Sequence, residues 1–235
     1  MLLKHTSYNL LGLGIPLIAA VVSIPMLIEA LGEHRFGLLT LIWAVVSYFG
    51  LFDMGLGRAL TQQLSVVFAQ QENERIGPLV ATATMLMFGL GVLAGLLLAA
   101  LAPWGVGLID GVPDQQEAIN AVYILSMGMP VILVTAGLRG VLEAKHAFGI
   151  LNLIRLPMGL FTFLGPLAVV IFGQPRLDWI AVVLVAGRVL GCVLHAWFVR
   201  KILPRDYGVV ALRMGLIKPL CVTGGWLTLR NQSYT

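Results

Sequence analysis

Apolar runs of membrane-crossing length recur along nearly the whole chain. They fall at about residues 8–28, 36–53, 79–102, 118–138, 150–172 and 179–199. Each is close to the ~20 residues that carry a helix across a ~30 Å hydrocarbon core. In lipid every backbone N–H and C=O must find its partner within the protein, which leaves helices and closed barrels. The alternating segments of roughly ten residues that build a barrel are absent. Composition agrees, with 59% hydrophobic and 11% charged residues, against about 25% charged in a soluble domain. The expected fold is therefore all-α, a polytopic membrane protein with a lobe of six transmembrane helices.

Charge placement gives an orientation. With connectors assigned to alternate sides, one side holds Lys4, Arg58, Arg75, Arg139, Lys145, Arg155, Arg200, Lys201, Arg205, Arg213 and Lys218. The other side holds only Arg35 and Arg176, and its connector "DGVPDQQE" carries Asp110, Asp114 and Glu117 without a base. Eleven cations against two place the amino terminus in the cytoplasm by the positive-inside rule. The net charge of +4 thus reflects topology, and no nucleic acid is implied. The three outer acids read as a solvated loop.

The first apolar stretch is too long for a signal peptide and lacks a small-x-small cleavage site, so it reads as a retained span. The expected organisation is a six-span lobe over 1–203 and a segment over 204–235. The basic part of that segment reads as an interfacial cytoplasmic helix. A seventh apolar run opens at Leu220 but stops before it could cross, an ending that reads as a truncation. Cys192 and Cys221 lie in or beside apolar stretches with no Cys-x-x-Cys, which argues against disulfide and zinc chemistry.

Polar and kink-forming residues on one helical face mark the interior of a bundle. In the first span Asn9, Gly12, Pro16, Ala19 and Ser23 keep a 3-4-3-4 spacing and so share a stripe. The fifth span repeats it with Asn152, Arg155, Gly159, Thr162 and Pro166. In the sixth, Arg188, Cys192 and His195 lie within about 40° of one another at ~100° per residue. Arg188 falls near mid-span, where a cation costs ~2.5 kcal/mol or more. A base at that depth needs a partner, a watery cavity or an anionic ligand. Arg155 is near enough to the inner surface to snorkel.

Catalytic constellations are missing. "GLGRAL" at 55–60 lacks the third glycine and the preceding strand of a dinucleotide loop. Neither His-Glu-x-x-His nor Gly-x-Ser-x-Gly occurs, and the histidines His5, His34, His146 and His195 fall in separate segments. No enzyme, metal or cofactor is expected.

The stretch "GLFDMGLGRALTQQLS", residues 50 to 65, ends the second span with an acid, two glycines and a base. The order "NLLGLGIPLIAAVVSIPML", "LGEHRFGLLTL" and "YFGLFDMGLGRALTQQLS" resembles the amino-terminal signature of the O-antigen and capsular oligosaccharide flippases. These form the polysaccharide-biosynthesis branch of the multidrug/oligosaccharidyl-lipid/polysaccharide exporter superfamily. Asn9, Gly12, Pro16, Gly32, Phe36, Gly37, Asp53, Gly55, Gly57 and Ala59 carry the likeness, and "KPLCVTGGWLTLRNQ" looks like the start of the family's seventh span. The resemblance implies a MATE-like fold of two six-helix lobes around a cavity, of which this chain holds the first lobe. It also implies a substrate, an oligosaccharide on a polyprenyl diphosphate, moved across the bacterial inner membrane by alternating access. Membrane lipids, a proton or sodium gradient and a polysaccharide polymerase are the partners that go with this reading.

Such a carrier needs cations at depth and polar stripes for sugar hydroxyls, because a diphosphate does not cross hydrocarbon unaided. Arg188, Arg155, Arg58, Asn9 and Asn152 are the expected substrate-binding residues. Asp53, Gly55, Gly57 and Pro16 are the expected gate and hinge, with Asp53 pairing with Arg58 across the glycines. The rivals are a multidrug or organic-ion exporter of the same superfamily, a membrane enzyme, and a non-transporting half-protein.

Overall fold

The computed structural model describes residues 2–51, 55–109, 111–203, 213–220 and 222, with side chains in its first helix described from Gly14 to Ala44. Every regular element among them is helical. In order these are α1 (Leu2–Leu51), α2 (Leu56–Ala69), a 3-10 turn (Asn73–Arg75), α3 (Ile76–Gly107), α4 (Gln115–Ala144), α5 (Phe148–Phe172), α6 (Leu177–Ile202) and a second 3-10 turn (Met214–Leu216). The interfacial helix expected in 204–235 falls mostly outside the described residues.

Among the described residues, five helical stretches are long and apolar enough to cross a membrane: Gly14–Ala44, Asn73–Gly107, Gln115–Ala144, Phe148–Phe172 and Leu177–Ile202. Six were expected, and the difference lies in α1. The first expected span, and the second as far as Leu51, fall inside it, and Glu, Ala, Leu and Arg of the connector "EALGEHR" are good helix formers. Only Gly32 leaves the helical region, at φ 77° and ψ 163°, and two helices meet there. Leu17, Ile18 and Val21 of α1, Trp104 of α3 and Met127 of α4 are all more than half exposed. Apolar surface of this extent is the face that hydrocarbon covers.

The chain forms two compact units. The first comprises 1–46, 94–128 and 152–191. Leu27, Leu39, Ala121, Leu125, Leu177 and Ile180 are among its buried side chains. Two glycines permit close contacts there. A Cβ on Gly159 of α5 would lie 2.9 Å from Pro16 Cγ of α1, and one on Gly187 of α6 would lie 2.5 Å from Phe161 Cε1 of α5. Trp43 stacks edge-on with Phe36 and Phe163 at centroid distances of 6.3 and 5.3 Å.

The second unit comprises 47–93, 129–151 and 192–235. Its α2 is amphipathic, burying Leu56, Gly57, Ala59, Leu60, Leu64 and Val67 at helical spacing. Where α2 meets α4 the backbones touch. A Cβ on Gly140 would lie 2.9 Å from Gly57 O, and Thr61 Oγ1 stands 2.9 Å from Gly57 O and 3.2 Å from Gly140 O. Gly91 of α3 packs on Pro130 of α4 in the same manner, with a hypothetical Cβ 2.5 Å from Pro130 Cα. Lys145 Nζ caps the ring of Phe68 at 4.0 Å.

Candidate functional site

The expected cationic site lies in the first unit, on α5 and α6. These helices run antiparallel through the contacts of Met158 with Gly191, Phe161 with Gly187 and Gly165 with Val183. That register sets Arg188 level with Leu160, about five residues from Arg155 and so ~7.5 Å from it along the axis. Going round each helix at ~100° per residue, Arg155 stands roughly 90° from the α6-facing side of α5, and Arg188 roughly 100° from the α5-facing side of α6. In an antiparallel pair, equal rotations lead to the same side. Both arginines therefore share one side of the α5–α6 pair.

Pro16 packs on Gly159 from that side. By the same count Asn152, Thr162 and Pro166 belong to it, so the polar stripe expected of the fifth span is assembled there. Arg155 and Arg188 are both exposed. Arg188 keeps this exposure although Leu184 and Ala181, which flank it in angle, are buried. Asn152 is half-buried, as is Pro16. Of the α1 stripe, Ala19 and Ser23 are buried, while Asn9 and Gly12 lie outside the described side chains. The Ser23 hydroxyl has no hydrogen-bond partner among the described residues. In α6, His195 is buried and Cys192 half-buried.

The remaining expected residues belong to the second unit. Gly55 takes the left-handed conformation, φ 71° and ψ 6°, at the start of α2. Few residues other than glycine accept that region, so the chain is free to change direction there. Gly57 sits in the first turn of α2 and is buried against Gly140. Arg58 is exposed. Asp53 lies outside the described residues.

One polar cluster escaped the sequence reading. Glu117, expected as a solvated outer acid, is 3% exposed and pairs with Arg35 at 2.9 Å. Its other oxygen accepts the backbone N–H of Leu177, the first residue of α6, at 2.6 Å. The correction has a local cause. Asp114 caps α4 by accepting the Glu117 N–H at 3.0 Å, which fixes Glu117 in the third helical position, facing inward. Asp-x-x-Glu ahead of an apolar run was the available signal. His34 lies against Gly111, whose φ of +76° and missing side chain both require glycine. Among the described residues no group of three His, Cys, Asp or Glu is placed to hold a metal.

The geometry can be set beside known proteins. The family model for polysaccharide biosynthesis protein matches residues 2–232. The chain belongs to that family. It is 26% identical over 234 residues to a Shigella flexneri protein described as "Putative O-antigen transporter", covering 98% of this chain and 54% of that protein. Its fold is that of a solved MOP superfamily transporter from Pyrococcus furiosus, with a TM-score of 0.72 at 15% identity, over 92% of this chain and 49% of that one. The chain thus spans about half the length of both. It is a helical membrane protein of the polysaccharide biosynthesis family.

Proposed function

We propose that the chain provides one six-span lobe of a carrier for an oligosaccharide linked to a polyprenyl diphosphate, moved across the bacterial inner membrane by alternating access. In this reading α1 counts as two spans meeting at Gly32, the amino terminus is cytoplasmic, and 1–203 forms the lobe. The observation that carries it is the pair of arginines on one side of α5 and α6, both exposed and both within membrane-length helices. A guanidinium at that depth is expensive to leave against hydrocarbon, and it forms strong, bidentate bonds with phosphate. The asparagine, threonine and proline of the α5 stripe supply hydrogen-bonding and kinked surface beside it. Family membership supports the same substrate class.

The entry end is assigned to the second unit. Gly55 is the bending point, and Arg58, exposed beside it, meets the head group first. Asp53 is its counter-ion in the empty state. The α5–α6 side presents cations, and the buried acid among the described residues, Glu117, is already paired with Arg35, which makes an organic-cation exporter the poorer reading.

The test is transport in liposomes. A carrier in which this lobe is joined to a second one is reconstituted with a fluorescent polyprenyl-diphosphate oligosaccharide, and exposure of the lipid on the far leaflet is measured. Wild type should move it, and Arg188→Ala and Arg155→Ala should each slow transport by at least tenfold, the size of one charge-assisted hydrogen bond. Transport by both variants at the wild-type rate would overturn the cationic site. A wild-type carrier that binds the lipid but does not move it would overturn the transport reading.

A further inference from the structure

A second polar recess lies in the other unit, away from the α5–α6 arginines in sequence and unused by the function above. It is a cleft of about 300 Å³ between α2, the Asn73–Arg75 turn, the start of α3 and the Met214–Leu216 turn. Gln62, Gln63, Gln70, Arg75 and Arg213 line its rim, with no carboxylate among the lining residues. Gln62, Gln63 and Gln70 come from the flank of α2 beside its buried stripe, which itself contributes Val67. Arg213 is set in place by its backbone, whose N–H donates to Thr82 Oγ1 at 3.2 Å. Thr82 is itself buried and donates to Pro78 O at 2.7 Å, so the anchor is fixed at both ends. The floor is apolar, from Val67 and Leu79.

Chemistry narrows the occupant. Two guanidinium groups, which can only donate, set the preference for an anion, and the NH2 ends of three amides can donate beside them. The apolar floor adds nothing to the binding of a free inorganic ion. The flanks are apolar as well: Val66 of α2 is 50% exposed and Met214, next to Arg213, is 82% exposed. A cationic rim above an apolar floor, flanked by exposed apolar side chains, has the character of a surface lying at a membrane interface. Arg75 is shared, since its Nη1 pairs with Glu72 at 2.6 Å in an exposed ion pair. Glu72 and Glu74 are the acids beside it on the chain.

We propose that this cleft binds an anionic membrane phospholipid, with the phosphodiester on Arg213 and Arg75 and the glycerol end on the Val67–Leu79 floor. Arg213 is the principal anchor because it carries no ion pair among the described residues. Glu72 competes with the ligand for Arg75.

The experiment uses the purified chain in neutral detergent. Phosphatidylglycerol and phosphatidylcholine of identical acyl chains are titrated, and retained lipid is read by native mass spectrometry. Phosphatidylglycerol should bind about tenfold more tightly than phosphatidylcholine, and Arg213→Gln should remove about that factor, as one charge-assisted bond predicts. Glu72→Gln frees Arg75 and should strengthen phosphatidylglycerol binding by about threefold. A gain of this kind cannot come from a misfolded variant, so Glu72→Gln decides the matter if Arg213→Gln does not fold. Equal retention of the two lipids, or no change in either variant, would overturn the proposal. Displacement of phosphatidylglycerol by millimolar inorganic phosphate would assign the cleft to a free anion instead. Displacement by a polyprenyl diphosphate at far lower concentration would assign it to the transported lipid.

Discussion

Replacing Glu117 tests whether the polar cluster on the first unit is structural. The carboxylate has two jobs, and each has a measurable weight. It accepts the Leu177 N–H at 2.6 Å, where a negative charge also suits the amino-terminal end of α6. It pairs with Arg35, whose side chain is 31% exposed while that of Glu117 is 3% exposed. Losing a charged acceptor from a buried N–H costs ~2 kcal/mol. The ion pair, with one partner partly in water, adds only about 1 kcal/mol. Glu117→Ala should therefore destabilise the chain by about 3 kcal/mol. Glu117→Gln keeps an acceptor for Leu177 and should cost about 1 kcal/mol. In a double-mutant cycle with Arg35→Met, the coupling should be about 1 kcal/mol. The assay is reversible unfolding in mixed micelles with rising SDS, followed by tryptophan fluorescence. Equal losses for the Ala and Gln variants would refute the division of labour. A loss below about 0.5 kcal/mol for Glu117→Ala would refute the structural role itself.

Three further outcomes follow from the same coordinates. Gly91→Ala should cost about 3 kcal/mol by overpacking, because its Cβ would meet Pro130 backbone at 2.5 Å; Gly128→Ala should cost under about 1 kcal/mol, because it would meet only the Val185 side chain at 3.1 Å. Gly32→Ala should lose about 2 kcal/mol for conformational reasons alone, since φ is +77° and nothing lies within 4 Å of the added carbon. In a cysteine-free background, Arg176→Cys should react with a membrane-impermeant thiol reagent added to intact cells, and Arg139→Cys should react only after the membrane is opened; the reverse pattern would overturn the cytoplasmic amino terminus.

The sequence by itself determined the solvent and the secondary structure. Spans of about twenty apolar residues admit only self-satisfied backbones, so helices followed from length and composition alone. Periodicity also placed Asn152, Arg155, Gly159, Thr162 and Pro166 on one stripe, because angles around a helix are set by residue number. Tertiary structure decided what each stripe meets. That Pro16 seats on Gly159, and that antiparallel packing brings Arg155 and Arg188 to one side of α5 and α6, depends on register between helices, which no single helix encodes. The same holds for Glu117. Its acid character and capping spacing were legible, but its burial required Arg35 and the start of α6, 82 and 60 residues away, to arrive beside it. Such long-range meetings are fixed by packing, and local sequence carries little trace of them.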